Sequence, residues 1–153
     1  MGAQSARIGA ALRKHVENVC RMLALEIDAE LRKGTPVDTG HARRNWISSV
    51  GAPNAVEATS EALHAQGIAS VLAYELARGS IWVANVVPYI RRLNYGHSAQ
   101  APAGFVERAV DVAMSNVRSK GGDVSALQRD FRDQVGGDAA VNIAGAYRPG
   151  GAP

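Results

Sequence analysis

The residues whose order is most similar to a known catalytic motif are Asp38, Thr39 and Gly40, which follow Val37. In aspartic proteases each of the two catalytic aspartates lies in a motif of a hydrophobic residue followed by Asp-Thr-Gly. The two aspartates share one proton and activate water. This sequence holds one copy, so two chains would have to pair. The motif also lies between a long predicted helix and a basic run at 41–44, outside any β-rich region. We therefore predict a helix-capping turn at Asp38 or Thr39, with a dimeric aspartic protease as the alternative.

The other motifs that could support chemistry are incomplete. Residues 96–100, Gly-His-Ser-Ala-Gln, have the start of a nucleophile elbow but lack its closing glycine. The histidines at 15, 41, 64 and 97 are scattered without the spacing of metal ligands. The chain contains neither a Walker sequence nor GxGxxG, the two common phosphate loops. We expect no catalytic residue, no metal and no cofactor, and hence a protein that is not an enzyme.

Two arginine pairs are the main electrostatic feature of the sequence. The second pair lies between Tyr89 and Tyr95, and basic residues interleaved with aromatics can contact a phosphate backbone. The candidates for facing DNA are Arg43, Arg44, Arg91 and Arg92. The net charge of the chain is only +3, which favours the alternative role, salt bridges to carboxylates of the protein or to acidic partner surfaces. The carboxylates considered for that role are Glu57, Glu61 and Glu75.

Composition bounds the class of protein. A chain of 153 residues with 46% hydrophobic residues fits one globular domain with a tail or arm. Aromatic residues make up only 5%, so we expect an aliphatic core. The single Cys20 cannot form an intrachain disulfide, which suits a reducing compartment. No apolar run is long enough for a bilayer span and no signal core is visible, so we expect a soluble protein without a membrane partner.

Hydrophobic periodicity and turn signals predict five helices and two strands before residue 120. A long amphipathic helix over 5–33 has Ser5 as its N-cap, and Gly34 and Pro36 end it. A second long helix is predicted over 58–76 and a third from Pro102 onward. Short helices are predicted at 41–44 and 89–95, the latter closed by Gly96. The strands are predicted at 45–50 and 80–86, and we expect Trp82 in the second strand to be substantially buried.

Two strands alone form a marginal sheet, so other elements must cover them. We predict an α+β fold, in which a long N-terminal helix and further helices pack on a small antiparallel sheet. Weaker segments or a second subunit would supply further strands. Residues 1–120 form one domain in this interpretation. Residues 121–153 form a C-terminal extension, a flexible tail that is partly disordered or ordered by a partner, because its composition after Gly136 is mostly small residues.

Two blocks of sequence carry a family resemblance. The first is Thr-Pro-Val-Asp-Thr-Gly followed by His-Ala-Arg-Arg-Asn-Trp over 35–46, and the second runs over 81–104. With the preceding long helix, their order resembles the tail completion, or head–tail joining, family of long-tailed bacteriophages over about residues 5–120. The candidate interface residues taken from these blocks are Thr35, Pro36, Val37, Asp38, Thr39, Gly40, Trp46, Asn85, Pro88, Tyr89, Leu93, Tyr95, Gly96, Ser98, Gln100, Ala101, Pro102 and Gly104.

The resemblance implies a structural protein of the virion neck, assembled in the host cytoplasm and without catalytic residues. It implies a homo-oligomeric ring of six copies that joins the DNA-filled head to the tail around the channel for the genomic DNA. The implied partners are a head-closure or connector protein on one side and a tail terminator or tail tube protein on the other. A tail terminator, a head–tail connector subunit and a small DNA-binding packaging accessory protein remain the alternatives.

Overall fold

A computed structural model describes residues 2–121, and the predicted C-terminal extension lies outside this range apart from Gly121. The fold is α+β, as the sequence predicts. Its elements follow in the order α1 (Gly2–Gly34), α2 (His41–Arg44), β1 (Ile47–Val50), α3 (Ala62–Leu72), a 3-10 turn (Leu76–Arg78), β2 (Ile81–Ala84), α4 (Ile90–Asn94) and α5 (Phe105–Gly121).

Helix α1 has 33 residues and is therefore about 50 Å long at about 1.5 Å per residue. It begins at Gly2, so Ser5 lies inside the first turns and is not the N-cap. At the other end Arg32 and Lys33 lie in the last turn, where positive charge suits the helix dipole. α5 runs antiparallel to α1, because Phe105 lies against Gly34 while Asn116 donates a hydrogen bond to Glu26.

The sheet consists of two antiparallel strands in the register Ile47↔Ala84 to Val50↔Ile81. α1 lies on one face of the sheet, and α5 packs against α1. On that face Leu31, Trp46, Phe105 and Ala109 form a buried apolar cluster together with Ala101. α3 packs on β1 so closely that a side chain at Gly67 would overlap the backbone of Ser48. The long helices therefore hold the short strands, as expected for a sheet too small to be stable alone.

Two predicted segments differ from the structure. The helix expected over 58–76 is confined to Ala62–Leu72 and is followed by the separate 3-10 turn. Pro102 does not open α5, which begins three residues later at Phe105. There Gly104 has φ +76°, in the left-handed region, so the chain turns at Gly104 before α5 begins. The first error arose because periodicity alone does not locate a turn, and the second because proline is favoured at the first helical position but does not by itself begin a helix.

The prediction that Trp82 is buried is wrong. Trp82 is 43% exposed, whereas Trp46, just before β1, is only 6% exposed. Side chains alternate along a strand, so Ile81 and Val83 face α1 while Trp82 faces the opposite side. The tryptophan that anchors the core is therefore the one in the first motif block.

Candidate interface site

Thr35 and Trp46 fix the first motif block to the end of α1. The Thr35 hydroxyl donates a hydrogen bond to the carbonyl oxygen of Leu31 at 2.6 Å and accepts one from Trp46 Nε1 at 2.7 Å. Both side chains are buried. The hydroxyl thus takes the place of water as the hydrogen-bond acceptor of the indole N–H. Burial of this N–H without an acceptor would be costly. The turn between the two residues is held at both of its ends.

Hydrogen bonds join the second motif block to the first. Asn85 Nδ2 donates to the carbonyl oxygen of Ala42 at 2.8 Å, and the amide of Val37 donates to Gln100 Oε1 at 3.0 Å. Leu93 also packs against the buried cluster that contains Trp46. The two blocks are separate in sequence and form one continuous surface in the fold.

A groove of about 200 Å³ lies where the blocks meet. Its walls come from the turn and short helix of the first block and from α4 and the following loop. The lining residues are Pro36, Asp38, Thr39, Gly40, His41, Ala42, Tyr89, Leu93, Ser98 and Gln100. Eight of these ten are predicted interface residues, and the other two are His41 and Ala42. We call this feature the motif groove.

Local backbone geometry shapes the second wall of the motif groove. Gly96 has φ +88°, and its amide bonds to the Leu93 carbonyl while the amide of His97 bonds to the Arg92 carbonyl. This pair of hydrogen bonds is the Schellman motif that ends a helix at glycine. The prediction that Gly96 closes the short helix is confirmed.

Asn94 links α4 to the start of α5. Its carbonyl accepts from the amide of Gly104 at 2.7 Å, and its Oδ1 accepts from the amide of Val106 at 2.9 Å. Its Nδ2 donates to both oxygens of Glu107, and this hydrogen bond is the main reason that the pKa of Glu107 lies below its ordinary value of 4.5. Asn94 thus serves as a cap for α5 from outside that helix.

The predicted interface residues divide by exposure. The buried ones are Thr35, Trp46 and Ala101. The half-buried ones are Pro36, Gly40, Asn85, Leu93, Ser98 and Gly104. The exposed ones are Val37, Asp38, Thr39, Pro88, Tyr89, Tyr95, Gly96, Gln100 and Pro102. The buried members hold the two blocks together, and the exposed ones supply the surface that a partner can reach.

Asp38 is exposed on the turn between α1 and α2 and does not cap α2. The residue at the N-cap position is Gly40, with φ +77° and no side-chain cap hydrogen bond. The predicted cap at Asp38 or Thr39 is therefore wrong. Thr39 Oγ1 does accept a hydrogen bond of 3.4 Å from the amide of His41, which steadies the turn without capping the helix.

The four candidate arginines make no salt bridge among the residues that the structure describes. Arg43, Arg91 and Arg92 are exposed and Arg44 is half-buried. Two of the carboxylates proposed as their partners bind other residues: Glu57 pairs with His41 at 2.5 Å, and Glu61 pairs with Arg32 at 2.9 Å. Within residues 2–121 the predicted salt bridges of these arginines to Glu57, Glu61 or Glu75 are therefore wrong, whereas their contact with an acidic partner surface stays a prediction.

Several structural residues escaped the sequence analysis. Asn45 is fully buried, and its side chain bonds to the backbone of Ala58 in both directions. Buried Asp28 binds His64 Nε2 at 2.8 Å and lies 3.5 Å from the Ser48 hydroxyl. In sequence, Asp28 breaks the apolar face of α1, which is the one signal that could have revealed it.

Residues 2–121 contain no group of three or more histidine, cysteine, aspartate or glutamate side chains placed to hold a metal ion. No helix in this range is long and apolar enough to span a membrane. Comparison of the chain with protein-family models, with characterised proteins and with solved structures found no match.

Proposed function

We propose that this protein is a structural component of the bacteriophage neck, whose copies form a ring that joins the head to the tail. The observation that carries the proposal is the motif groove. The two blocks whose residue order resembles the tail completion family meet there, through the bonds Val37–Gln100 and Asn85–Ala42. If the resemblance were due to chance, the matched residues would not be expected to lie together on one surface.

The chemistry of the motif groove suits contact with another protein. Its lining combines small residues, one amide, two hydroxyls, a carboxylate and an imidazole with the ring of Tyr89, which is 42% exposed. Tyrosine provides a large contact area with few rotamers and is enriched at protein interfaces. The packed core lies behind this surface, because Trp46 belongs to the buried cluster and Leu93 packs against it. The groove can therefore receive a partner without rearrangement of the fold.

The assembly that we propose is a closed ring of six copies in the virion neck, around the genomic DNA. A closed ring requires that one patch of the chain fits a different patch on the next copy. The motif groove is the candidate for one of these patches. A head-closure or connector protein and a tail terminator or tail tube protein would contact the two ends of the ring.

Electron microscopy of lysates tests the proposal directly. Phage lacking this chain should accumulate filled heads and separate tails, and supplying the protein in trans should restore joined particles. Joined, infectious particles in the absence of the chain would refute the proposal.

Groove variants refine this experiment. Tyr89→Ala and Asp38→Ala change exposed side chains of the motif groove and should reduce the fraction of joined particles while the fold is retained. Val56→Ala is the matched control, because Val56 is 64% exposed and lies outside the groove. If the groove variants and the control reduce the fraction of joined particles equally, the motif groove is not required for joining.

The arginines favour a second candidate, a DNA-binding packaging accessory protein. Residues 39–56 and 76–106 contain no carboxylate and carry Arg43, Arg44, Arg78, Arg91 and Arg92. Arg91 and Arg92 lie in sequence between exposed Tyr89 and Tyr95, and basic residues interleaved with aromatics can contact a phosphate backbone.

Salt dependence tests this second candidate. If Arg91 and Arg92 contact phosphates of duplex DNA, the double variant Arg91→Ala, Arg92→Ala should lower the slope of log affinity against log salt by about 0.9 for each lost contact. Arg7→Ala, Arg13→Ala is the control with the same change of net charge on exposed residues of α1. Equal loss in both variants would indicate attraction by net charge alone.

A further inference from the structure

The two outer edges of the sheet differ. The amide of Gly51 donates to the carbonyl of Ser80 at 2.8 Å, in register with the strand pairing. Because hydrogen-bonded and non-bonded pairs alternate in an antiparallel ladder, Trp82 and Ala84 direct their backbone groups toward β1. The N–H and C=O groups of Ile81 and Val83 therefore point away from β1, to the outer edge of β2.

Only one of these edges is covered. At the outer edge of β1, α3 lies against Ser48, whose backbone is in contact range of Gly67. At the outer edge of β2, no hydrogen bond within the described range 2–121 reaches the backbone of Ile81 or Val83 from a further segment. A row of unpaired backbone groups of this kind is a template for another strand.

An apolar cleft lies beside the open edge. It has a volume of about 460 Å³ and is bounded by Cys20, Leu23 and Ile27 of α1 and by Ile81 and Val83 of β2. None of its lining residues is charged. A strand added to β2 would place every second side chain over this part of α1, where the side chains of Ile81 and Val83 already lie.

We propose that β2 of a second copy of this chain pairs antiparallel with β2 at this edge. The second copy offers one open strand edge, since its β1 is covered by α3. Pairing of identical edges around a two-fold axis is self-complementary. Ile81 would exchange both backbone hydrogen bonds with Val83 of the second copy, and the two Trp82 residues would lie directly opposite each other.

This pairing accounts for the exposure of Trp82 and for the small size of the sheet. Trp82 projects from the face opposite α1, and opposed residues of a non-hydrogen-bonded pair have the closest side chains in an antiparallel ladder. The two-stranded sheet becomes four-stranded, a size that is stable when covered by helices. No charged residue lies on β2, so the approach of identical strands brings no like charges together. The inference does not depend on the proposed function, because a two-fold contact between β2 strands is separate from the contacts of unlike patches that close a ring.

Disulfide cross-linking tests the register. In a Cys20→Ser background, Trp82→Cys would place two cysteines with Cα atoms about 4.5 Å apart, within the range that a disulfide spans. Ser80→Cys is the matched control, because each Ser80 would lie opposite Ala84 and about 14 Å from its counterpart, at about 3.4 Å per residue. Mild oxidation should give covalent dimers of the first variant and not of the second. Equal cross-linking of both variants, or of neither, would overturn the pairing.

Sedimentation of the full chain provides a second, independent test. Val83→Pro removes an outward-facing N–H and leaves the β1–β2 bonds intact, so it should convert dimers to monomers. Val83→Ile keeps the N–H and should remain dimeric. Circular dichroism monitors folding of both variants. The proposal would be overturned if the unmodified chain is monomeric at its highest soluble concentration, even if a strand of another protein binds the edge. It would also be overturned if the Val83→Pro variant is folded and stays dimeric.

Discussion

The indole N–H of Trp46 and the hydroxyl of Thr35 form a buried hydrogen bond of 2.7 Å across the turn that connects α1 to β1. The same hydroxyl donates a hydrogen bond to the Leu31 carbonyl in the last turns of α1. Trp46 also packs against Phe105 and Leu31 in the buried cluster. One side chain thus connects α1, the first motif block and α5.

Truncation of the two tryptophans should therefore have unequal effects. Trp46→Ala should lower the free energy of unfolding by about 3–5 kcal/mol, because it leaves a cavity in the core. Trp82→Ala should cost less than about 1 kcal/mol, since the side chain is 43% exposed and lies outside the buried cluster. Urea denaturation followed by circular dichroism at low protein concentration measures both. Equal losses would contradict the assignment of Trp46 as the core residue.

Gly67 and Gly9 provide a matched pair of helical glycines. A methyl group at Gly67 would lie 3.2 Å from the Ser48 nitrogen and would overlap its carbonyl oxygen, whereas one at Gly9 meets no atom within 4 Å. Gly67→Ala should destabilise the protein by about 1–3 kcal/mol through overpacking. Gly9→Ala should stabilise it by about 0.5–1 kcal/mol. Thermal denaturation compares the two, and a neutral Gly67→Ala would show that α3 is farther from β1.

Asp28 and His64 form the buried polar contact between α1 and α3. Asp28 is 4% exposed, and its second oxygen lies 3.5 Å from the Ser48 hydroxyl. Asp28→Ala and His64→Ala should each destabilise the fold, with a coupling energy of about 0.5–3 kcal/mol in a double-mutant cycle. Additive losses would mean that the 2.8 Å contact contributes no net stability.

The pH dependence of stability should reflect two carboxylates. The hydrogen bond from Lys120 lowers the pKa of Glu26, with a further one from Asn116, and the Asn94 amide lowers the pKa of Glu107. In both cases the folded pKa lies below the ordinary value of 4.5, so the unfolded state binds more protons. The stabilisation is present above pH 4.5 and is lost as the pH falls through the folded pKa.

Salt should distinguish these two carboxylates. Glu26→Gln and Glu107→Gln should each flatten the decrease of stability below pH 4.5. High salt should weaken the contribution of Glu26, whose partner is an ammonium group, more than that of Glu107, whose partner is a neutral amide. Acid titration of the free energy of unfolding at low and high salt measures the difference. Equal salt sensitivity would contradict the assigned causes.

The sequence was sufficient for features that depend on neighbours along the chain. The 3.6-residue periodicity of α1, the glycine that ends α4 and the strand composition of β2 are local properties, and the structure has all three elements. The assignment to the α+β class follows from the number and type of these elements. The two motif blocks could also be recognised from their residue order, although the sequence did not show that they lie side by side.

Only the tertiary structure decided which surfaces are covered. Strand alternation requires that neighbouring residues such as Trp82 and Val83 face opposite sides, but the face that α1 covers depends on residues far away in sequence. For the same reason, the approach of Val37 to Gln100 and the pairing of Glu57 with His41 instead of an arginine had no local signal. Burial and pairing are long-range properties, because they arise when separate segments pack and exclude water from each other.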